Sequence, residues 1–215
     1  MAQKKVSRRE RERIRHRKEI LESACEVFAE KGFRRSTIQD IAERSEFSVA
    51  SIYRHFESKE DIYHSLIEDV LEEYFSRLKR KTSSIESPTQ RLIKALDATF
   101  DMVIEKEAFL KFLFTDFRIN LETDTDKASE KSALVYWKLI NFFVATFEEG
   151  IKKKEILDQP ALSLTIALLG NLYSFLNYCL MFSGNLEEMK TKHRDSIIKI
   201  FFGPVALKPI PEESL

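Results

Sequence analysis

Five glycines and five prolines in 215 residues leave this chain nearly without the residues that punctuate strands and tight turns. The turn clusters that many strands would need are missing, so the sequence predicts an all-α fold built from long helices. Hydrophobic residues make up 43% and charged residues 33%, which is enough to bury a substantial core and excludes a disordered chain.

Apolar spacing marks out nine helices. Ile20, Leu21, Ala24, Val27 and Phe28 share one helical face, and Gly32 follows as a stop. Ser36 or Thr37 caps a short helix with Ile38, Ile41 and Ala42, and Asp40 sits in its first turn, where the helix dipole favours an acid. After a break at residues 45–47, Ser48 caps a third short helix reaching about His55. Ser58 caps a longer one, with Ile62, Leu66, Val70, Tyr74 and Leu78 on one face through about Lys81. Ser87 and Pro88 read as cap and first position of the next, which carries Leu92, Leu96, Phe100 and Val103. Helices are further expected over residues 108–120, 132–154, from Pro160 onward, and over 186–202, the last ended by Gly203 and Pro204. Residues 121–131 read as a flexible loop.

The charges sum to zero but are unevenly placed. Residues 1–18 hold nine Lys or Arg against Glu10 and Glu12, which reads either as a solvated, partly disordered arm or as one that contacts phosphates. Cys25 and Cys179 are far apart and suggest neither a disulfide nor a zinc site, and the basic N-terminus has no secretory apolar stretch, so a reducing cytoplasm is expected. No cofactor and no metal are expected. There is no phosphate-cradling glycine loop, nucleophile elbow or metal-ligand histidine spacing, so an enzyme is not expected either.

One segment permits a competing reading. Residues 159–186 carry no charge and are long enough to span a bilayer, which would make the chain a membrane-associated or structural helical protein. Ser163, Ala167, Gly170, Ser174, Asn177 and Met181 fall on one stripe of that helix, and its amides are costly in hydrocarbon. The reading adopted is a buried subunit-interface helix with no membrane, the last two helices forming a homodimer contact.

Read as one unit, ILESACEVFAEKGFRRSTIQDIAERSEFSVASIYRHFESKEDI, residues 20–62, resembles the DNA-binding module of the tetracycline repressor (TetR) family. The residues in register include Ala24, Phe28, Gly32, Phe33, Thr37, Ile41, Ala42, Ser48, Ile52, Tyr53, His55, Phe56 and Lys59. The resemblance implies residues 1–62 as a basic arm and helix-turn-helix domain, and 63–215 as a helical ligand-binding and dimerisation domain. It implies double-stranded DNA as partner. The second helix of the motif would enter the major groove and present Ser48, Val49, Ala50, Ser51 and Arg54 to base edges. Thr37, Tyr53, His55 and Lys59 fall where the family contacts phosphates, although Lys59 also reads as a solvated helix-start residue. Two positions depart from the family: Glu46 and Ala50 stand where glycine is common, and Glu46 needs a turn conformation that is costlier without it.

The resemblance also implies a cavity in the second domain. Aromatic residues are dense there, and an aromatic-lined pocket with few charges suits a small apolar ligand, a fatty acyl or aromatic compound, that releases a repressor from an inverted-repeat operator. The candidate lining is Phe100, Phe112, Phe117, Trp137, Phe143 and Phe175, with Arg118, Asn141, Asn171 and Tyr178 to orient a polar end.

Overall fold

The computed structural model describes residues 7–115, 126–182 and 185–207, and the side chains of all of these except 112–115, 126–133 and 135–136. Among them are nine helices: α1 (Arg8–Lys31), α2 (Ile38–Ser45), α3 (Val49–Ile52), α4 (Lys59–Thr82), α5 (Pro88–Glu105), α6 (Glu107–Thr115), α7 (Asp126–Lys152), α8 (Ala161–Phe182) and α9 (Leu186–Val205). The all-α expectation holds.

Several boundaries differ from the sequence reading, each for a local reason. The basic segment is helical from Arg8 onward. Ser7 caps it, its side chain accepting from the Glu10 amide at 3.1 Å, and Arg8–Glu12, Arg13–Glu10, Arg15–Glu19 and Lys18–Glu22 pair along the surface at helical spacings. Each such exposed pair contributes little alone, but together they favour a helix over a loose arm. Residues 126–131, read as loop, already belong to α7, and α9 runs past Gly203 with Pro204 inside its final turn. The expected helical residues 116–120 lie outside the described residues.

The chain forms two compact units, one comprising residues up to Asp69 with the described part of 111–132, the other 70–110 and 133 onward. The first is a small three-helix core extended by the start of α4. Ile20, Ala24, Phe28, Ile41, Ile52 and Ile62 are fully buried, and Phe28, Phe33 and Tyr63 pack ring on ring, with Phe33 and Tyr63 centroids 5.0 Å apart.

In the second unit α5 is the central element, with eleven of its residues buried, from Pro88 and Thr89 to Val103. Charged groups at its edge tie it to neighbouring helices. Arg77 of α4 meets Glu105 at 2.6 Å and 2.7 Å, Asp101 is shared by Lys81 and Lys190, and Arg194 of α9 grips Asp97 through two N–H groups at 2.5 Å and 3.0 Å. The Tyr74 hydroxyl is buried against Thr99, and desolvation pushes its pKa up to about 12. Past α7, Ile156 bridges to Ala206, with amide bonds from Leu157 to Val205 and from Leu207 to Glu155.

Candidate nucleic-acid interface

Three caps shape the surface that the resemblance assigns to DNA. Thr37 and Asp40 form a capping box at α2: the Thr37 side chain accepts from the Asp40 amide while Asp40 accepts from the Thr37 amide and hydroxyl, both at 2.8 Å. Lys31 donates to the same carboxylate at 2.6 Å. These bonds, Lys31 first and Thr37 next, hold the Asp40 carboxyl at about 2. At the other end of α2, Glu46 lies in the left-handed region with φ 57°, its amide closing the helix onto Ala42 and Glu43. The chain then turns through Phe47 to Ser48, whose side chain accepts from the Ser51 amide and starts α3.

The recognition segment is a single turn of α-helix, Val49–Ile52, shorter than the helix to His55 read from the sequence, and continues as hydrogen-bonded turns through Phe56. Ile52 and Phe56 anchor it in the core at 0% and 3% exposure. That anchoring fixes the opposite side outward. Ser48, Ala50, Tyr53 and Arg54 are exposed, and Val49 and His55 are half-buried.

Two of the expected contact residues have other employment. Ser51 is buried, and its hydroxyl accepts from Arg54 at 2.8 Å, so it orients the arginine and does not face outward. The Lys59 ammonium donates to the carbonyls of Phe33 and Ser36 at 2.8 Å and 2.9 Å and lies 4.3 Å from the Phe33 ring centre. It closes the connection between α1 and α2 on to α4, giving the loop carbonyls a charged donor. The role of Lys59 is not visible locally, because Lys59 and Phe33 are 26 positions apart.

A group that the sequence reading passed over completes the surface. His16 of α1 packs at a tilt against Phe47 with centroids 5.1 Å apart and approaches the His55 ring at 6.3 Å, and Arg17 lies over Phe56 while bonding Asp69 at 3.0 Å. The His55 pKa is lowered by desolvation first, and then by the positive groups His16, Arg13, Arg54 and Arg17. The available signal was helical continuity from Arg8: once α1 is extended, His16 falls one turn before Ile20 on the packed face.

The candidate ligand residues are scattered in the second unit. Phe100 and Phe175 meet edge to face at 5.8 Å and line a cavity of about 10 Å³ with Val103, Leu176, Cys179 and Leu186, room for roughly one water. Phe143 is buried outside that lining. Trp137 is 59% and Tyr178 57% exposed, and Asn141 and Asn171 are exposed too, the latter donating to Ala167 of its own helix. Phe117, Arg118 and the side chain of Phe112 lie outside the described residues.

Two short helices at a tight turn, the second with an anchored inner face and an outward polar face, define a helix-turn-helix module. Residues 20–66 match the family model described as bacterial regulatory proteins, tetR family, and this segment is a DNA-binding module of that family. Over 87 residues, 40% of this chain, it is 36% identical to the HTH-type transcriptional repressor KstR2 of Mycobacterium tuberculosis, and the match spans 44% of that relative. The chain thus matches less than half the length of this curated relative. Its fold is like that of the fatty acid degradation regulator FadR from Bacillus halodurans, with TM-score 0.75 and 17% identity over 87% of this chain and 95% of that one. FadR from Bacillus subtilis, solved in complex with stearoyl-CoA, gives TM-score 0.73 and 18% identity over 86% and 96%.

Proposed function

We propose that this protein is a DNA-binding transcription regulator, a repressor that holds an inverted-repeat operator as a homodimer and releases it when a small apolar ligand binds. The observation that carries the reading is the helix-turn-helix inside the matched segment, with Val49, Ala50, Tyr53 and Arg54 turned outward by the anchoring of Ile52 and Phe56. Val49 and Ala50 suit thymine methyls, Arg54 a guanine or phosphate, and Tyr53 and His55 phosphates. Selection with the full chain from a random-sequence pool should return an inverted repeat, and replacing Val49 and Ala50 should change which repeat is returned. A pool that returns no repeat contradicts the proposal.

Dimerisation is supported by what α8 and α9 leave uncovered. The α8 segment is long and apolar enough to cross a membrane by length and composition, yet 39% of its most apolar window is buried within the chain. The rest includes Leu162, Ile166, Tyr173, Tyr178, Met181 and Phe182, joined by Ile200 of α9, all exposed. Exposed apolar side chains in this number suit a second copy, and a methyl group added at Gly170 would meet nothing within 4 Å. Light scattering should give about 50 kDa, twice the 25.2 kDa chain, without detergent, and Gly170→Phe should lower it. A detergent requirement would instead favour the membrane reading.

Ligand control is supported by α4, which contributes residues 59–69 to one unit and 70–82 to the other, and whose Arg77 and Lys81 are bound to α5. A ligand that separates the helices around Phe100 and Phe175 would act on those ties. It would have to enlarge the cavity, which takes no more than a water as it stands. Coupling of this sort changes operator affinity by roughly five- to 150-fold. Acyl thioesters and fatty acids are the first compounds to test.

A further inference from the structure

His16 and His55 come from different elements, α1 and the turns after α3, and meet beside the recognition segment with ring centroids 6.3 Å apart. Neither ring nitrogen of His55 has a hydrogen-bond partner among the described residues. The Arg15 guanidinium lies 3.5 Å from His16 Nε2, and since arginine can only donate, the contact suits a neutral His16 ring. Arg13 and Arg17 of α1 and Arg54 beside Tyr53 act on His55, and Arg15 of α1 touches His16. The nearby acids are already engaged, Glu10 by Arg13, Glu12 by Arg8, Glu19 by Arg15, and Asp69 of α4 by Arg17. The two imidazoles thus stand together at the edge of the recognition segment, where an arriving phosphate would favour their charged forms.

We propose that His16 joins His55 in a two-imidazole phosphate seat at the edge of the recognition segment, so that DNA binding is coupled to proton uptake from solvent by this pair. This rests on the DNA-binding reading and adds to it a contact residue from α1 and a sign for the pH dependence. The desolvation and cationic surroundings that lower the His55 pKa in the free chain act in the same direction. A phosphate beside the rings opposes both effects, and each ring whose pKa rises by one unit on binding strengthens the complex about tenfold at acid pH.

The test uses the full chain and a duplex recovered by it from a random-sequence pool, at constant ionic strength. Wild-type affinity should rise about tenfold or more from about pH 8 to about pH 5.5. His16→Gln should flatten the profile and lose most of its gain at acid pH, whereas His16→Arg, with a fixed charge, should bind more tightly than wild type at about pH 8 with a flattened profile. Calorimetry of the wild-type complex in two buffers of different protonation enthalpy counts the protons directly, without a variant, and should give net uptake near pH 6.5, about the ordinary imidazole range. Zero uptake, or superimposable wild-type and His16→Gln profiles, overturns the role of His16. Failure to recover any duplex at any pH instead refutes DNA binding itself.

Discussion

Glu46 offers a direct test of how the helix-turn-helix is built. Its φ of 57° places a side chain in the left-handed region, which costs a non-glycine residue about 1–2 kcal/mol. Glu46→Gly removes that strain but gives the unfolded chain more freedom, which costs about 0.5–1 kcal/mol. The side chain itself is exposed and forms no ion pair among the described residues, so nothing else is lost. The net expectation is a gain of about 0.5–1 kcal/mol, or roughly 2–8 °C in the melting temperature of a module this size. Glu46→Ala removes the charge and keeps the strain. Thermal unfolding followed by circular dichroism should therefore rank glycine above both Glu and Ala, with Glu46→Asn between, since asparagine tolerates this region. All three neutral variants should bind DNA slightly tighter at low salt, by no more than about 1 kcal/mol, because an exposed acid near phosphates is lost. If alanine stabilises as much as glycine, the backbone argument is wrong and the acid's charge is the source of the effect.

Lys59→Ala should destabilise the first unit by about 2 kcal/mol in urea unfolding, because two carbonyls lose a charged donor; an unchanged midpoint with weakened DNA binding would restore the phosphate role. Gly150→Ala should lower stability by about 1–3 kcal/mol, since its new methyl would stand 2.6 Å from Ile156 Cδ1 and 3.3 Å from Pro88 Cβ. The Asp40 carboxyl titrates at about 2 against an ordinary 3.8, so its bonds to Lys31 and Thr37 support the fold above about pH 4 and are lost as pH falls towards 2. Asp40→Asn should flatten acid unfolding over that interval, and an unaltered acid limb would show that the capping box contributes nothing.

What could be read from the sequence is what depends on neighbours in the chain. The apolar face of Ile20 to Phe28, the caps at Thr37, Ser48 and Ser87, and the strained place of Glu46 all follow from residues within a few positions of each other. The outward set of the recognition segment followed in part, because Ile52 and Phe56 announce the inward side. Ser51 did not, since its burial depends on where Arg54 folds back. Lys59 was ambiguous because its partners are Phe33 and Ser36, across a turn that only the fold closes. The helical start of α1 escaped because no single surface ion pair is strong enough to announce a helix. In the second unit, aromatic density could not separate lining from core or surface: Phe143 is core, Trp137 is exposed, and only spatial neighbours distinguish them from Phe100 and Phe175.

The central claim is that this surface holds DNA by its phosphates through Tyr53, His55 and the arginines around them. Fluorescence anisotropy of a labelled inverted-repeat duplex, titrated with the full chain as salt rises from about 50 to about 200 mM, measures that claim directly. The expected result is a straight fall of log affinity against log salt, amounting to about a thousandfold if six phosphates are neutralised, with a shallower slope for a Tyr53→Phe, Arg54→Ala variant that still folds. Affinity that does not change with salt, or a slope left intact in that variant, would contradict it.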